Sequence, residues 1–584
     1  MRIPLRSYWV LLARYLRPQR LRVVLLAVVL FGSIGVQLVN PQIIGYFIDT
    51  AEQGGTQQAL LLAATLFIVM AFTQQLLAVG ATYLGESVGW NATNRLRTDL
   101  AAHCLRLDLS FHKARTPGEL IERIDGDVTL LSNFFSRFVI DVFGNAVLLA
   151  GVLVLLLFED WRVGLCLAAF ALVALLLLTR LRHLAVPIWA ADREANAGFF
   201  GFLGERLAGT EDIRSSGATG YTMRRFYEHL RGWAPLQRKA GLAGSSMWVT
   251  TIAVFAVGDA VAFGLGAYLF TRGAITLGTA YTIFYYTALL GRPIEQIRSQ
   301  LQDLQQADAS IGRVRELLAI QSRVQDGPGA ALPPGALSVE FDLVTFGYEE
   351  EDEPVLRDVS FRIEPGAVLG LLGHTGSGKT TIARLLFRLY DPQEGEVRIG
   401  GVPVKEPRLR DLRRRVGMVT QDVQLFQASV RDNLTFFNRE VPDGRILRVL
   451  DELGLGPWLR SLPTGLDTEL ASGGGLSAGE SQLLAFARLF LLDPGLVILD
   501  EASSRLDPAT EQLLERAMDR LLQGRTGIII AHRLATVERA DEVMVMEGGR
   551  VVEHGPRAQL ALAPDSRFAA LLRTGLEVAA RAEG

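Results

Sequence analysis

The sequence predicts a multidomain membrane protein in which an all-α domain of six transmembrane helices is followed by a soluble α/β domain. Three observations support this prediction. Apolar residues make up 49% of the 584 residues, and most lie before about residue 290, as expected when the first half of a chain crosses a bilayer. Beyond residue 337, short apolar runs alternate with helical patterns, which is typical of a mostly parallel sheet. A glycine-rich loop, Gly373 to Thr380, joins a strand to a helix in this second half.

The charge balance and the cysteines exclude several other kinds of protein. The chain has 59 basic and 62 acidic residues and a net charge of −3, so no overall positive charge favours a nucleic-acid partner. Cys104 and Cys166 are far apart and lack the spacing of metal ligands, so we expect two unpaired thiols. The arginine-rich start lacks a small-residue cleavage site, so we expect no cleaved signal peptide. Residues 6–17 predict instead an amphipathic helix whose Arg14 and Arg17 face lipid phosphates.

Six apolar stretches approach the roughly 20 residues that a helix needs to cross the hydrocarbon. They are residues 23–48, 59–84, 138–158, 163–179, 247–270 and 277–290, the last being short. Arginine and lysine are concentrated before the first stretch, between the second and third, and between the fourth and fifth. Positive residues favour the cytoplasmic side, so we expect a multi-pass protein of the cell (inner or plasma) membrane with both termini in the cytoplasm.

The two long, positively charged segments keep helical periodicity, so we expect the spans to continue into the cytoplasm as helices. Each segment contains a break, at residues 116–118 and 215–217. Each break predicts either a short transverse helix against the soluble domain or an ordinary surface turn. Asp259 is an acidic residue inside the fifth span. Such a group either lines a water-filled path, which we favour, or pairs with a polar neighbour.

The boundary between the two domains is marked by a linker. Residues 321–336 contain Gly-Pro-Gly and Pro-Pro-Gly, which interrupt regular structure. We therefore expect a transmembrane domain at residues 1–320 and a soluble domain at residues 337–584.

The loop from Gly373 to Thr380 follows a predicted buried strand at residues 368–372 and opens a helix, which is the context of a phosphate loop in a P-loop NTPase. Backbone N–H groups at such a helix N-terminus surround phosphates, so we expect ATP to bind here together with Mg²⁺. Lys379 is expected to reach the outer phosphate oxygens, and the Thr380 hydroxyl to bind Mg²⁺. The residues predicted to bind the nucleotide in this loop are Gly373, Thr375, Gly376, Ser377, Gly378, Lys379, Thr380 and Thr381.

Two further apolar runs end in residues that suit ATP hydrolysis. Leu-Val-Ile-Leu at residues 496–499 leads into Asp500 and Glu501, which predicts a buried strand ending in two carboxylates. A strand-end Asp500 can hold Mg²⁺ through water, and the adjacent Glu501 can polarise an attacking water. A third such strand at residues 528–531 ends at His532, which we expect to contact a γ-phosphate.

A second glycine-bearing turn, Leu476-Ser477-Ala478-Gly479-Glu480, opens a helix between these motifs. With the motifs in this order, residues 337–560 resemble an ATP-binding cassette (ABC) domain. The whole chain resembles an ABC exporter half-transporter of the type IV, multidrug-exporter-like kind, in which six spans precede a nucleotide-binding domain. The resemblance implies that two such chains sandwich ATP. The turn that contains Ser477, Gly479 and Glu480 would then close on the γ-phosphate bound to the other subunit.

The resemblance also implies roles for residues outside the phosphate loop. Tyr348 would stack on adenine, and Gln421 would sense Mg²⁺ and the attacking water as well as border the membrane-domain contact. Asp500 would support Mg²⁺, while Glu501 would be the general base and His532 the switch residue. The segment that ends at Asp507 would cross between the two sites.

The sequence departs from the family pattern at the second turn. The usual Leu-Ser-Gly-Gly-Gln has Ala478 and Glu480 here, and Arg505 replaces a small residue in the crossing loop. Ala478 adds a methyl group, and Glu480 adds a negative charge near a triphosphate. The phosphate loop, Asp500, Glu501 and His532 match the pattern. Sites of unequal quality favour a heterodimer with a second half-transporter, and a homodimer is the alternative.

The favoured function is ATP-driven export of an amphipathic or hydrophobic substrate, such as a drug, lipid or peptide. Two alternatives stay open at this stage. The same fold also serves an importer of a metal chelate, and nothing in the spans fixes the direction. An ATP-gated membrane regulator that does not pump is the second alternative, although the matching Glu501 and His532 favour turnover.

Overall fold

The computed structural model describes residues 13–137, 142–348, 353–420, 423–470, 476–500, 508–531 and 534–573. The chain divides into two compact units. The first consists of Met1–Leu105 and Pro117–Ile320, and the second of Arg106–Thr116 and Gln321–Gly584. The short segment Arg106–Thr116 thus belongs with the second unit, although the chain on either side of it belongs to the first.

In the first half of the chain, the regular structure of the described residues is entirely helical, and short turns join the helices. A 3₁₀ turn at Arg17–Gln19 precedes the first long helix, and a π-helical turn at Glu122–Gly126 lies between two shorter ones. The α-helices are, in chain order, α1 (Arg20–Glu52), α2 (Gln57–Arg106), α3 (Leu109–Lys113), α4 (Pro117–Ile121), α5 (Asp127–Arg137), α6 (Asn145–Glu159), α7 (Trp161–Ala208), α8 (Thr210–Ser215), α9 (Thr219–Thr271) and α10 (Leu277–Ala319).

Five helical stretches of the described residues are long and apolar enough to cross a membrane: Ala13–Glu52, Gln57–Arg106, Val142–Glu159, Trp161–Ala208 and Thr219–Thr271. They contain the first five predicted spans, apart from residues 138–141, which lie outside the described residues. The sixth predicted span, residues 277–290, begins α10. This helix is not among the five stretches, so the sixth span stays a prediction.

The predicted extension of the spans as helices is confirmed. α2 continues to Arg106 and α7 to Ala208, well beyond the apolar stretches that end at residues 84 and 179. The predicted breaks carry short helices. α3 and α4 flank the first break, and α8 ends beside Gly217, whose φ is +65°. Cys104 and Cys166 form no disulfide among the described residues. Asp259 is half-buried in α9, and its two interpretations stay predictions.

In the first unit, α1 and α10 cross at two glycines. A Cβ atom on Gly278 would lie 2.1 Å from the carbonyl oxygen of Gly45, so the two backbones approach where no side chain fits. Asp49 fixes the same crossing. Its carboxylate accepts hydrogen bonds from the Gly278 N–H at 2.7 Å and the Thr276 hydroxyl at 2.7 Å. An N–H group at the start of α10 is thereby satisfied.

A buried carboxylate joins α5 to α10. Asp127, which is 1% exposed, accepts hydrogen bonds from Arg313 Nε at 3.0 Å and from the Ser310 hydroxyl at 3.0 Å. The Arg123 guanidinium lies 3.7 Å from the same carboxylate. Hydrogen bonding to Asp127 raises the pKa of Arg313, so its guanidinium stays charged. A buried charge is costly without such partners, so these contacts keep the ends of the two helices together.

The second unit is an α/β domain with two sheets, as predicted. An antiparallel sheet has the strand order β2-β1-β4-β5, and a mostly parallel sheet has the order β10-β9-β3-β8-β7-β6. The strands are β1 (Val339–Phe346), β2 (Leu356–Ile363), β3 (Val368–Gly373), β4 (Glu394–Ile399), β5 (Val402–Pro403), β6 (Val416–Val419), β7 (Leu496–Asp500), β8 (Thr526–Ile530), β9 (Glu542–Glu547) and β10 (Arg550–Pro556).

Helices cover this parallel sheet. They are α11 (Lys379–Leu386), α12 (Leu409–Arg415), α13 (Val430–Thr435), α14 (Asp443–Glu452), α15 (Gly456–Ser461), α16 (Ala478–Leu492), α17 (Pro508–Leu522), α18 (Leu534–Val537) and α19 (Arg557–Leu562). Strands β3, β7 and β8 are buried over nearly their whole length, which explains their continuous apolar runs. Because these strands are parallel, their carboxyl ends meet at one edge of the sheet.

The segments 106–116 and 321–336 are tied together on the second unit. Asp108 caps α3 by accepting a hydrogen bond from Phe111 N–H at 3.2 Å, and it also accepts from Arg323 N–H at 2.6 Å and the Ser322 hydroxyl at 3.3 Å. Burial acts to raise the pKa of Asp108, but these hydrogen bonds outweigh burial and lower it. The predicted linker, 321–336, contains no helix or strand.

Candidate functional site

The phosphate loop connects β3 to α11 in a conformation that requires glycine. Gly373 ends β3 with a φ of +147°, and a Cβ atom there would lie 2.3 Å from the carbonyl oxygen of Met546. Gly378 precedes α11 with a φ of +101°, and a Cβ atom there would lie 2.5 Å from Leu356 Cδ2. The loop is therefore compact, and the first N–H groups of α11 have no partner within the helix.

Two side chains of the loop fit a bound triphosphate. Lys379 is 5% exposed, and its ammonium donates to the carbonyl oxygens of Gly373 at 2.7 Å and His374 at 3.0 Å. The Lys379 ammonium is therefore held against the backbone of the phosphate loop. The Ser377 hydroxyl is buried and has no hydrogen-bond partner among the described residues. Since a buried hydroxyl without an acceptor is costly, a phosphate oxygen in the loop would relieve that cost.

The predicted Mg²⁺ residues lie side by side. β7 ends at Asp500, and the Thr380 hydroxyl at the start of α11 is 3.4 Å from Asp500 Oδ2. Hydroxyl and carboxylate oxygens are ligands that Mg²⁺ accepts, and Mg²⁺ beside a nucleotide uses few protein ligands because phosphates and waters supply the rest. Within the described ranges, no cluster of three His, Cys, Asp or Glu side chains forms a metal site. Thr380 and Asp500 therefore fit a shared phosphate–metal site better than a dedicated protein cage.

Tyr348, which follows β1, is held beside α11. Its hydroxyl accepts from Arg384 Nη1 at 2.8 Å and lies 3.1 Å from the Thr381 hydroxyl. The Lys113 ammonium lies 4.4 Å from the centroid of the Tyr348 ring, which is a cation–π distance. A cavity of about 490 Å³, lined by Tyr348, Lys113, Arg384 and Tyr390, opens here. Its volume falls within the range of ligand pockets.

The second turn is organised by a capping box. Ser477 is the N-cap of α16, and its hydroxyl accepts from Glu480 N–H at 3.2 Å. The Glu480 carboxylate in return accepts from Ser477 N–H at 2.8 Å. The carboxylate that we expected to act mainly as a charge near the triphosphate therefore satisfies the start of its own helix. Ala478 is exposed and Gly479 is buried in this turn.

Arg488 anchors the same helix to the neighbouring segment. Its guanidinium donates to the carbonyl oxygens of Asn433 at 2.8 Å and Gln424 at 3.1 Å, and it lies 4.6 Å from the Phe436 ring centroid. Burial lowers the pKa of Arg488 to about 10. These contacts fix α16, whose N-terminus carries Ser477.

Several predicted site residues lie outside the part of the chain that the structure describes. They are Gln421, Glu501, Asp507 and His532. The strands that lead to two of them are described. β7 ends at Asp500, immediately before Glu501, and β8 is followed by the buried Ala531 before His532.

The sequence reasoning missed two features of this site. One is the capping box, although Ser-x-x-Glu before an apolar run is a recognisable signal for it. The other is the pair of cations around Tyr348. Arg384 lies on α11 after the phosphate loop, whereas Lys113 is far away in sequence. No local pattern could have placed Lys113 on the Tyr348 ring.

Comparisons with known proteins agree with the fold and the site. Residues 23–294 match the ABC transporter transmembrane region, and residues 356–504 match the ABC transporter family. The chain is 31% identical over 578 residues to YknV, an uncharacterized ABC transporter ATP-binding protein of Bacillus subtilis, with 97% of this chain and 94% of that protein covered. It is 28% identical to the ATP-dependent lipid A-core flippase of Alcanivorax borkumensis over 94% of both chains.

A solved structure shares the whole architecture. A bacterial Atm1-family ABC exporter with ATP bound superposes with a TM-score of 0.79 at 26% identity, covering 95% of this chain and 98% of that one.

A helical membrane region followed by a P-loop α/β region defines an ATP-driven membrane transporter. The matches show that the chain belongs to the ABC transporter family. Because one membrane region and one ATP-binding region share the chain, it is a half-transporter of the exporter type, and the exporter functions as a dimer. ATP hydrolysis in this domain drives export.

Proposed function

We propose that this chain exports an amphipathic or hydrophobic compound, such as a lipid, drug or peptide, out of the cytoplasm across the cell membrane. Similarity to a lipid A-core flippase over most of the length supports a substrate of this class. The claim that ATP drives this export is supported by one observation. The Thr380 hydroxyl lies 3.4 Å from Asp500 beside the phosphate loop. The nucleotide-binding domain and both termini face the cytoplasm.

The geometry of the phosphate loop supports the following roles. Lys379 neutralises the outer phosphate oxygens, and the Ser377 hydroxyl donates to one of them. The residues that line the nucleotide through backbone N–H groups or side chains are Gly373, Thr375, Gly376, Gly378 and Thr381. Thr380 and Asp500 would hold Mg²⁺, directly or through water. By the family resemblance alone, Gln421 would sense Mg²⁺ and the attacking water. Bound Mg²⁺ offsets the charge that develops on the phosphates.

The remaining roles rest on the family resemblance. Glu501 accepts a proton from the attacking water, and His532 contacts the γ-phosphate. Tyr348 stacks on adenine. Ser477, Gly479 and Glu480 close on the γ-phosphate held by the partner, and Asp507 lies where the two sites communicate. Because each site needs residues from two chains, closure of the pair depends on ATP.

We favour a heterodimer over a homodimer. Ala478 and Glu480 depart from the family pattern in the second turn, whereas the phosphate loop, Asp500 and Glu501 match it. The phosphate loop of this chain, completed by a partner's second turn, is then the faster hydrolytic site. The site completed by this chain's own Ser477 is slower.

The catalytic assignment is tested by Glu501→Gln in the full chain, purified with its partner and reconstituted in lipid nanodiscs. We expect ATPase activity to fall by roughly 10²-fold or more, because the general base is lost while ATP still binds. Glu440→Gln, which removes an exposed carboxylate from the same domain, is the control and should leave the activity unchanged. Near-normal turnover in Glu501→Gln would rule out the assignment.

The substrate class and the subunit composition need separate measurements. In proteoliposomes, ATP-dependent movement of a fluorescent phospholipid or a fluorescent amphipathic drug should occur with wild type and stop in Glu501→Gln. Movement of neither compound class, despite active ATPase, would contradict the substrate proposal.

A chain purified alone should hydrolyse ATP slowly, and a fast, monodisperse homodimer would contradict the heterodimer.

A further inference from the structure

A cavity of about 450 Å³ lies between the start of α1 and the later part of α2 in the helical unit. Its lining includes three exposed arginines, Arg20, Arg22 and Arg95, together with Gln19 and Asn91. None of these residues takes part in ATP binding or has a role in the proposed export cycle. The cavity therefore needs an explanation of its own.

The composition of the neighbouring surface places the cavity at the level of the lipid headgroups. Immediately after the cavity, α1 presents Val24 and Val28, which are 61% and 63% exposed. On α2, the exposed Trp90 immediately precedes Asn91, and the exposed Tyr83 lies about two helical turns earlier. Exposed aliphatic side chains face hydrocarbon, and Tyr and Trp gather at the membrane–water interface. The cavity thus begins where the apolar surface of both helices ends.

The lining of this cavity is cationic. It contains three guanidinium groups and no carboxylate, and no described carboxylate lies within salt-bridge distance of Arg20, Arg22 or Arg95. Asp99 lines an adjoining cavity that shares Asn91 and Arg95, and its carboxylate accepts a hydrogen bond from the Tyr15 hydroxyl at 2.8 Å. Basic pockets between helices on the cytoplasmic side attract anionic lipid headgroups.

Gln19 gives a second and independent observation. It is 8% exposed, its amide N–H₂ donates to the carbonyl oxygen of Val88 at 3.3 Å, and it lines the cavity. Its amide oxygen is buried and has no hydrogen-bond partner in the described part of the chain. A buried acceptor of this kind requires a donor. Three guanidinium groups favour an anion such as a phosphate, and the unpartnered Gln19 oxygen favours a hydroxyl or ammonium donor beside that anion.

We propose that this cavity binds one anionic phospholipid of the cytoplasmic leaflet. Its phosphodiester lies on Arg20, Arg22 and Arg95, and a headgroup hydroxyl donates to the Gln19 amide oxygen. The acyl chains lie along the exposed apolar surface of α1 that begins at Leu21, which is 81% exposed. Phosphatidylglycerol carries both the phosphate and the hydroxyl that the site requires. The bound lipid would tie the N-terminal segment to α2.

Native mass spectrometry of the delipidated full-length dimer, titrated with phosphatidylglycerol, tests the site. We expect one tightly bound lipid per copy of this chain. An arginine beside the bound anionic headgroup contributes a factor of about five in affinity, so Arg95→Ala should weaken binding about fivefold and the triple variant about 10²-fold. Phosphatidylcholine, which is zwitterionic, should bind weakly to every variant.

Arg180→Ala is the matched control. Arg180 is exposed on α7 of the same unit, but it lines neither cavity. Binding should change by less than about twofold in this variant, since only the diffuse field of one charge is lost. An equal loss in Arg180→Ala and Arg95→Ala would show diffuse surface attraction and overturn the proposal. Unchanged binding in the triple variant would overturn it as well.

Gln19→Leu tests the proposed hydrogen bond from the headgroup hydroxyl to the Gln19 amide oxygen. Wild type should prefer phosphatidylglycerol to phosphatidylmethanol, which has the same phosphodiester without a headgroup hydroxyl. Gln19→Leu should lose that preference and keep the arginine dependence. No preference in wild type would overturn this half of the proposal. If the variant does not fold, as judged by its unfolding midpoint, the comparison of the two lipids on wild type still decides the question.

A soluble phosphate compound is the competing occupant. Millimolar glycerol 1-phosphate or inorganic phosphate should displace little phosphatidylglycerol, because neither has acyl chains to place along α1. Complete displacement by either compound would identify a site for soluble phosphate and contradict the lipid.

Discussion

At the scale of single residues, Tyr348, the proposed adenine contact, is held by residues from distant parts of the chain. Its hydroxyl is fixed by Arg384 at 2.8 Å, and the Lys113 ammonium lies 4.4 Å from its ring centroid. The aromatic and the loop that follows β3 could be predicted from sequence, because each is a local pattern. The contact with Lys113 could not, because it depends on segment 106–116 joining the second unit.

Tyr348→Ala should raise the KM for ATP by about 5-fold to 100-fold, because base stacking on an aromatic ring is worth about 1–3 kcal/mol. Tyr348→Phe keeps the ring and loses only the hydroxyl contacts, so its KM should stay within about threefold of wild type. Steady-state ATPase assays in nanodiscs give both values. Equal KM values for the Ala variant and wild type would remove Tyr348 from the adenine site.

Glu480 gives a second test at this scale. Its carboxylate accepts from Ser477 N–H at 2.8 Å and completes the capping box of α16. Glu480→Ala should destabilise the domain by about 1 kcal/mol, whereas Glu480→Gln retains a side-chain acceptor and should cost much less. The thermal unfolding midpoint of the full chain in detergent measures the difference. Equal midpoints for the two variants would show that the cap does not contribute.

At the scale of secondary-structure elements, the helical periodicity of the sequence predicted the length of the helices better than hydropathy did. Hydropathy gave spans that end near residues 84 and 179, and the helical repeat correctly predicted that α2 and α7 continue further. The apolar run before Asp500 likewise predicted β7. The order of the strands could not be predicted in the same way. Placing β8 between β3 and β7 depends on contacts between segments far apart in sequence.

The crossing of α1 and α10 makes an element-level prediction. Gly278→Ala should destabilise the membrane unit by about 1–3 kcal/mol, since its Cβ would lie 2.1 Å from the Gly45 carbonyl oxygen. Gly264→Ala in α9 is the control. A Cβ there meets nothing within 4 Å, and alanine favours a helix more than glycine does. Thermal unfolding in detergent should rank Gly278→Ala below wild type and Gly264→Ala at or above it. The reverse order would contradict the close crossing.

At the scale of the whole molecule, the proposed function requires one chain to supply two half-sites. The phosphate loop and Asp500 would form one half, and the turn at Ser477 would form the other. Both halves can be proposed from the sequence because each is a short motif with its own strand or helix. The sequence could not predict which partner completes them, since Ala478 and Glu480 are compatible with either kind of dimer. The account therefore depends on ATP being shared between chains.

Photolabelling across the dimer tests that claim most directly. This chain carrying Lys379→Ala, which loses its own phosphate-loop cation, is copurified with an intact companion chain and exposed to ATP bearing a photoreactive γ-phosphate group. We predict that residues 476–480 of the Lys379→Ala chain become labelled, and that excess ATP prevents it. Label confined to the companion chain, in a dimer shown to be intact, would contradict a shared nucleotide.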